Sequence, residues 1–209
     1  MATQSAASIK RCEVQVPGDK ENKKLAFVLE NVLSKEECDE LIKLTEEKGY
    51  EVALLNTGGG RQVLAPEIRS SYRCIWDSVE RADWLWQRMK DYVPEEWDGR
   101  KVIGLNERLR FLRYDKDQYF KPHYDGSYVR DNGEISCITL HLYLNEGYEG
   151  GCTTFLHPLF GKESGYLPVQ VKTGMVLVFE HRILHEGSTL INGRKYTMRT
   201  DVMYQAKTY

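Results

Sequence analysis

No stretch of this 209-residue chain is apolar enough to approach the ~20 residues that a membrane-spanning helix requires, so no helical span is expected. No Cys-x-x-Cys pair occurs. The five cysteines (Cys12, Cys38, Cys74, Cys137, Cys152) are odd in number and scattered, which argues against a disulfide scaffold or a structural zinc site. Reduced thiols in a cytoplasmic or nuclear protein fit them better. Charge of one sign is not in excess: 29 Lys and Arg stand against 31 Asp and Glu, evenly spread. Without a basic stripe to neutralise phosphates, nucleic acid is not an expected partner, and without an apolar span neither is a membrane. The opening Met-Ala-Thr-Gln-Ser-Ala-Ala-Ser lacks the basic start and apolar centre of a secretory signal, and no retention signal closes the chain. Thr57-Gly-Gly-Gly-Arg61 is followed by no Gly-Lys-Ser/Thr, so it is no phosphate loop; a mobile lid and a plain solvent loop both remain open. No Ser/His/Asp or paired-carboxylate arrangement stands out either.

What is present reads as helices first and strands second. The length suits one domain, and residues 25–204 are expected to form it behind a loosely ordered stretch, residues 1–24. Helical support is expected over residues 34–93. Lys24–Glu30 reads as a short strand, and Ser34 with Glu37 makes a capping box for a helix with Cys38, Leu41, Ile42 and Thr45 on one side and Gly49 at its end. A second helical pattern runs from Asp77 to Val93, with Val79, Ala82, Leu85 or Trp86, and Met89 on a face. Trp84, Trp86 and Trp97 are read as core aromatics rather than a stacking platform. After Gly99 the period changes to two: Glu107–Tyr114, Ser136–Leu144, Gly151–Phe155, Leu167–Val171, Gly174–Phe179 and Lys195–Tyr204 read as short strands. The expected class is α+β, with a sandwich or barrel over about residues 102–204 that carries the chemistry.

Within that half, Phe120-Lys-Pro-His-Tyr-Asp-Gly126 places His123 and Asp125 two apart. On an extended strand such side chains point the same way, so an imidazole nitrogen and a carboxylate oxygen can reach one metal ion. His185, in Ile183-Leu-His-Glu-Gly187, is the best candidate for a third ligand. Two histidines and one carboxylate on one face of a metal leave the opposite positions open, as in non-haem Fe(II) oxygenases. His181 is a rival for the third position. Its spacing to His185 is helical, but residue 182 is Arg where a His-Glu-x-x-His site needs Glu, and the run before it reads as strand. His157, beside Pro158, is expected in an exposed loop.

The ordered set Tyr114…His123-x-Asp125…Gly150-Gly-x-Thr153…His185-x-Gly187…Gly193-Arg-Lys195 resembles the prolyl 4-hydroxylase branch of the Fe(II)/2-oxoglutarate-dependent dioxygenases, from about Leu105 to Tyr204. That resemblance implies a double-stranded β-helix, or jelly roll, with His123, Asp125 and His185 as the iron ligands. It implies Lys195 as the cation for the far carboxylate of 2-oxoglutarate; Arg199, four residues on and on the same face, could assist or replace it. Arg194 should point away. Tyr114 and Tyr143 match tyrosines near the co-substrate, and Thr153 follows Gly150-Gly151 with Cys152 in place of the usual acid. His141 shares a face with Thr139 and Tyr143 and is a candidate for the pocket wall. The implied cofactors are Fe(II), 2-oxoglutarate, O₂ and, as an accessory, L-ascorbate. The implied reaction is hydroxylation of an unactivated C–H with release of succinate and CO₂, first on a prolyl or other side chain of a peptide or protein. The alternatives are a free amino acid or other small-molecule substrate, and, in a different class, a non-catalytic jelly-roll binding module. A monomer or weak dimer is expected.

Overall fold

The period-two segments after Gly99 form the centre of two antiparallel sheets, and several segments from the first half of the chain join them. The computed structural model describes residues 8–57, 61–159 and 161–207. In chain order its main elements are β1 (Lys10–Glu13), β2 (Ala26–Glu30), α1 (Lys35–Lys48), β3 (Arg69–Ser70), β4 (Tyr72–Asp77), α2 (Val79–Met89), β5 (Arg100–Leu105), β6 (Arg108–Tyr114) and β7 (Tyr119–His123). They continue with β8 (Ile135–Tyr143), β9 (Thr153–His157), β10 (Gly161–Pro168), β11 (Val176–Glu180), β12 (His185–Gly187) and β13 (Lys195–Tyr204). The larger sheet runs β1-β2-β11-β8-β13-β6-β4, ends on Glu51–Val52, and takes β5 alongside the far end of β13. The smaller sheet runs β10-β9-β12-β7-β3.

Alternation along β8 and β13 decides what each face of the larger sheet meets. Leu140, Leu142, Met198 and Val202 point outward into a core shared with Cys38 and Leu41 of α1 and Ala82, Leu85 and Met89 of α2. The opposite face carries Thr139, His141, Tyr143, Thr197, Arg199 and Asp201, and register aligns them in pairs: Thr139 with Asp201, His141 with Arg199, Tyr143 with Thr197. Phe155 of β9 meets Phe179 of β11 edge-on at 5.3 Å, which joins the two sheets on this inner side. A jelly roll with few helices results, as the family resemblance implied.

The capping box forms as expected: the Ser34 hydroxyl accepts from Glu37 N, and Glu37 accepts from Ser34 N. Glu37 also receives both nitrogens of Arg88 at 2.7 and 2.8 Å, which ties α1 to α2.

Several expectations are corrected. Within residues 1–24, expected to be loosely ordered, Lys10–Glu13 pairs with β2 and Val16 is buried. Its charges mask the strand, but an edge strand tolerates them, and the Arg11 guanidinium lies 3.9 Å over the Phe27 ring. The support over residues 34–93 is not wholly helical, since β4 there pairs with β6 along six residues. Val79 is 73% exposed and Trp84 36%: a first-turn residue and a side residue of α2 fall outside its buried face. The strand expected at Leu167–Val171 lies earlier, at Gly161–Pro168. His157 ends β9 with its ring against Gly18, half-buried rather than in an exposed loop. The glycines at 58–60 lie outside the described residues.

Candidate active site

His123 closes β7, His185 opens β12, and the ladder between these strands sets the two residues directly opposite. Their rings stand 4.3 Å apart. Asp125 follows two residues beyond His123, and its backbone N–H donates to the His181 carbonyl. Ligand atoms of His123, Asp125 and His185 all lie within 4.8 Å of one another. Each imidazole turns Nδ1 to a main-chain carbonyl: His123 to Lys121 O at 2.7 Å, His185 to Ile183 O at 2.9 Å. A carbonyl only accepts, so both Nδ1 atoms carry the hydrogen and both Nε2 lone pairs are left to face Asp125, at 3.9 and 3.7 Å. Phe120 stacks on His123 at 3.6 Å, and Phe179 meets His185 edge-on at 4.8 Å.

Burial, with help from His185, pushes His123 down to about 3. Burial likewise lowers His185. Burial acting alone would raise Asp125, but Arg199 and the two histidines reverse that and keep its pKa low. The trio is therefore two neutral imidazoles and one carboxylate, the protonation state that ligates a divalent metal.

From this trio a narrow cavity of about 60 Å³ reaches Lys195. Lys195 is 2% exposed, and its Nζ donates to Gly151 O at 2.6 Å and lies 5.1 Å over the Tyr114 ring. Among the described residues no carboxylate pairs with it. Burial lowers its pKa to about 8. A buried ammonium facing a cavity, with one carbonyl for company, is suited to an incoming carboxylate. A wider cavity of about 640 Å³ also opens onto Asp125, with Trp97, Arg100, Ser127 and Glu180 in its walls.

Residues 109–200 match the model of the 2OG-Fe(II) oxygenase superfamily. Over that stretch, nearly half of its length, the chain is similar to that superfamily. It is 30% identical over 138 residues to probable prolyl 4-hydroxylase 3 of Arabidopsis thaliana, an alignment covering 62% of this chain and 45% of that protein. It is 25% identical over 191 residues to prolyl 4-hydroxylase 1 of the same plant, covering 82% and 66%. The chain thus spans between about half and two thirds of these relatives. Among solved structures, a Trichoplax adhaerens prolyl hydroxylase in complex with a hypoxia inducible factor oxygen degradation domain peptide fragment superposes with a TM-score of 0.64 at 17% identity, covering 88% of this chain and 86% of that one. At that identity the likeness is one of fold.

The other expected site residues divide into groups. Tyr114 and Thr153 line the narrow cavity beside Lys195. Tyr143 does not. It is fully buried behind Thr153 and donates its hydroxyl to Thr153 Oγ1 at 2.7 Å, so it reaches the cavity through that residue. Arg194 points outward to Asp115, as alternation required. Arg199 does share the inner face, but its guanidinium is engaged by Asp125 and Asp201, each at 3.1 Å. It holds a triad carboxylate rather than standing unpaired as Lys195 does. The Thr139 hydroxyl holds the same carboxylate, donating at 2.6 Å. His141 lines the cavity with its Nε2 buried and without a hydrogen-bond partner among the described residues. Burial, then Lys195 and Arg199, push its pKa well down, so it is neutral. His181 lies apart from the triad, 3.5 Å from Asp201.

Sequence reasoning missed Arg69, Arg110 and Phe120, which also line the cavity. Phe120 was legible in principle, being three residues before His123. Arg110 sits directly opposite Arg199 across β6 and β13, a pairing visible only once the register is known. Arg69 comes from a two-residue strand with no periodic signal.

Proposed function

We propose that this chain is an Fe(II)- and 2-oxoglutarate-dependent dioxygenase that hydroxylates an unactivated C–H, first of all a prolyl or other side chain of a peptide or protein, releasing succinate and CO₂. The observation that carries this reading is the convergence of His123, Asp125 and His185 donors within 4.8 Å in the wall of a cavity that the buried Lys195 also lines. His123 Nε2, His185 Nε2 and an Asp125 oxygen would hold the iron, which when bound supplies the activation of O₂. Lys195 donates to the far carboxylate of 2-oxoglutarate, with Tyr114 at its side. Thr139 and Arg199 fix the Asp125 carboxylate, and the carbonyls of Lys121 and Ile183 fix the tautomer of each ligating ring. Phe120 and Phe179 pack on the imidazoles and exclude water from that side. Ascorbate would serve as the accessory reductant that keeps the iron in its Fe(II) form.

The peptide reading draws on the prolyl 4-hydroxylase relatives, on the peptide-bound Trichoplax neighbour, and on a wide cavity beside Asp125 of a size that suits a short peptide segment. The test is succinate formation from 2-oxoglutarate with and without added Fe(II), together with the mass of prolyl peptides after reaction. Iron-dependent succinate and a gain of one oxygen on a peptide support the proposal. Oxygen on free amino acids alone would move the substrate to small metabolites, and no turnover with any substrate would leave a binding module.

A further inference from the structure

Four cations line the narrow cavity: Lys195, Arg199, Arg110 and Arg69. The carboxylates that meet them are fewer. Asp125 is paired with Arg199, and Asp201 is shared by Arg199 and Arg110. Glu186 also lines the cavity, but Lys162 holds it at 2.7 Å. Loading the site does not restore the balance, because the double charge of Fe(II) is matched by that of 2-oxoglutarate. Lys195 is accounted for by one carboxylate of that co-substrate; Arg69 is accounted for by nothing.

Its placement is specific. Arg69 lies opposite Phe120 in the ladder between β3 and β7. Its guanidinium rests 4.8 Å over the Phe120 ring, and that ring stacks on His123. Nε donates to Ser71 Oγ at 3.2 Å, and among the described residues no carboxylate meets the two terminal nitrogens. The fork is therefore held from beneath and from one side, and its free edge belongs to the cavity. A half-buried guanidinium that faces a cavity without a counter-ion is costly to hold, and a fixed fork fits an arriving carboxylate with two parallel bonds.

We propose that the substrate presents a carboxylate beside the C–H that reacts, and that Arg69, with Arg110 next to it, receives that group. The inference rests on the dioxygenase reading and narrows its substrate class to acids: a peptide with an acidic residue next to the target, or a free amino acid held by its own carboxylate.

The full chain, loaded with Mn(II) and 2-oxoglutarate so that no turnover occurs, is titrated calorimetrically with two matched pairs. One pair is end-blocked Glu-Pro-Glu and Gln-Pro-Gln; the other is N-acetylproline and its amide. The acid of at least one pair should bind roughly tenfold or more tighter than its neutral partner, a gap that shrinks with added salt. Which pair discriminates identifies the source of the carboxylate. Arg69→Gln should erase the gap, and Arg69→Glu should instead favour Lys-Pro-Lys over Gln-Pro-Gln, a gain that mere misfolding cannot produce. Equal binding within both pairs overturns the proposal. So does an Arg69→Gln protein that loses 2-oxoglutarate affinity as steeply as acid affinity, since Arg69 would then serve the co-substrate. Should the wild-type protein prefer the acids yet make no succinate with Fe(II), the charged subsite stands and the dioxygenase reading falls.

Discussion

Lys195 is held in the folded protein at a disadvantage, with its ammonium sealed beneath Tyr114 and only Gly151 O to accept from it. Its pKa drops from 10.5 to about 8 because burial penalises the charged form. The sign for binding follows directly. Capturing a carboxylate requires the protonated amine, so 2-oxoglutarate affinity should be flat below pH 8 and weaken as pH rises above it, readable as a rising Kd in calorimetry with Mn(II) present. The sign for stability is opposite. A base with a depressed pKa costs the fold stability below pH 8, and that cost fades as pH climbs toward 10.5. Lys195→Met should therefore raise the melting temperature of the ligand-free protein, by roughly 2 kcal/mol or about 4–8 °C, while abolishing the response to 2-oxoglutarate. Arg199→Ala should do something else. It removes a partner of Asp125, so metal affinity should fall by about 10–100-fold with the 2-oxoglutarate response of the metal-saturated protein largely kept. The reverse outcome would make Arg199 the anchor. That His123 and Asp125 share a side was legible because strand alternation fixes where each side chain points, whereas His185 was one candidate among the histidines and Lys195 came from the family resemblance. The duty of Arg199 was not legible, because its partners Asp125 and Asp201 come from a loop and from its own strand, and no spacing rule says which of two inward cations will be neutralised.

At the scale of elements, α1 illustrates how much a short pattern can determine. Ser34 and Glu37 exchange hydrogen bonds, Cys38, Leu41 and Thr45 are buried, and Gly49 N donates to Thr45 O at the end. All of this was readable, since capping and a 3.6-residue stripe are local. Ser34→Ala should cost about 1 kcal/mol in chemical denaturation, with turnover unchanged at a temperature where the protein stays folded. A tighter constraint lies where α1 meets the sheet. Val32 N and Leu33 N both donate to Gly174 O at 3.2 Å, and Gly174 has φ +77°. A Cβ there would meet Leu33 O at 2.0 Å. Gly174→Ala therefore combines left-handed strain with a collision against backbone, and it should cost well over 2 kcal/mol or prevent folding, measured as soluble yield and urea midpoint. Sequence alone marks Gly174 as a turn residue and cannot say that another chain segment passes against it. The same limit hid β1 and displaced β10: an edge strand is recognised by its neighbour, and a polar stretch announces no neighbour.

Across the whole molecule, two antiparallel sheets bring together groups far apart in the chain. His123 and His185 face each other because β7 and β12 are ladder neighbours, and Lys195 arrives from the opposite sheet. The site is thus assembled by the closed sandwich and does not exist in the unfolded chain. Ligands that bind only the assembled site must stabilise the entire fold by mass action, by about 2.7 kcal/mol at a hundredfold excess over Kd. On the proposed function, adding Mn(II) should raise the melting temperature, and 2-oxoglutarate should raise it further only when the metal is present, because one carboxylate of the keto acid would need the ion and the other Lys195. EDTA should return the midpoint to that of the ligand-free protein without unfolding it, since the inner face is also closed by apolar contacts such as Phe155 with Phe179. His123→Ala should abolish both increments while leaving that ligand-free midpoint near its original value, because the ring is partly exposed and its loss removes a ligand more than it removes core. If 2-oxoglutarate stabilises the metal-free protein as strongly as the metal-loaded one, the keto acid is held by cations alone, and the three donors at 123, 125 and 185 have no part in binding it.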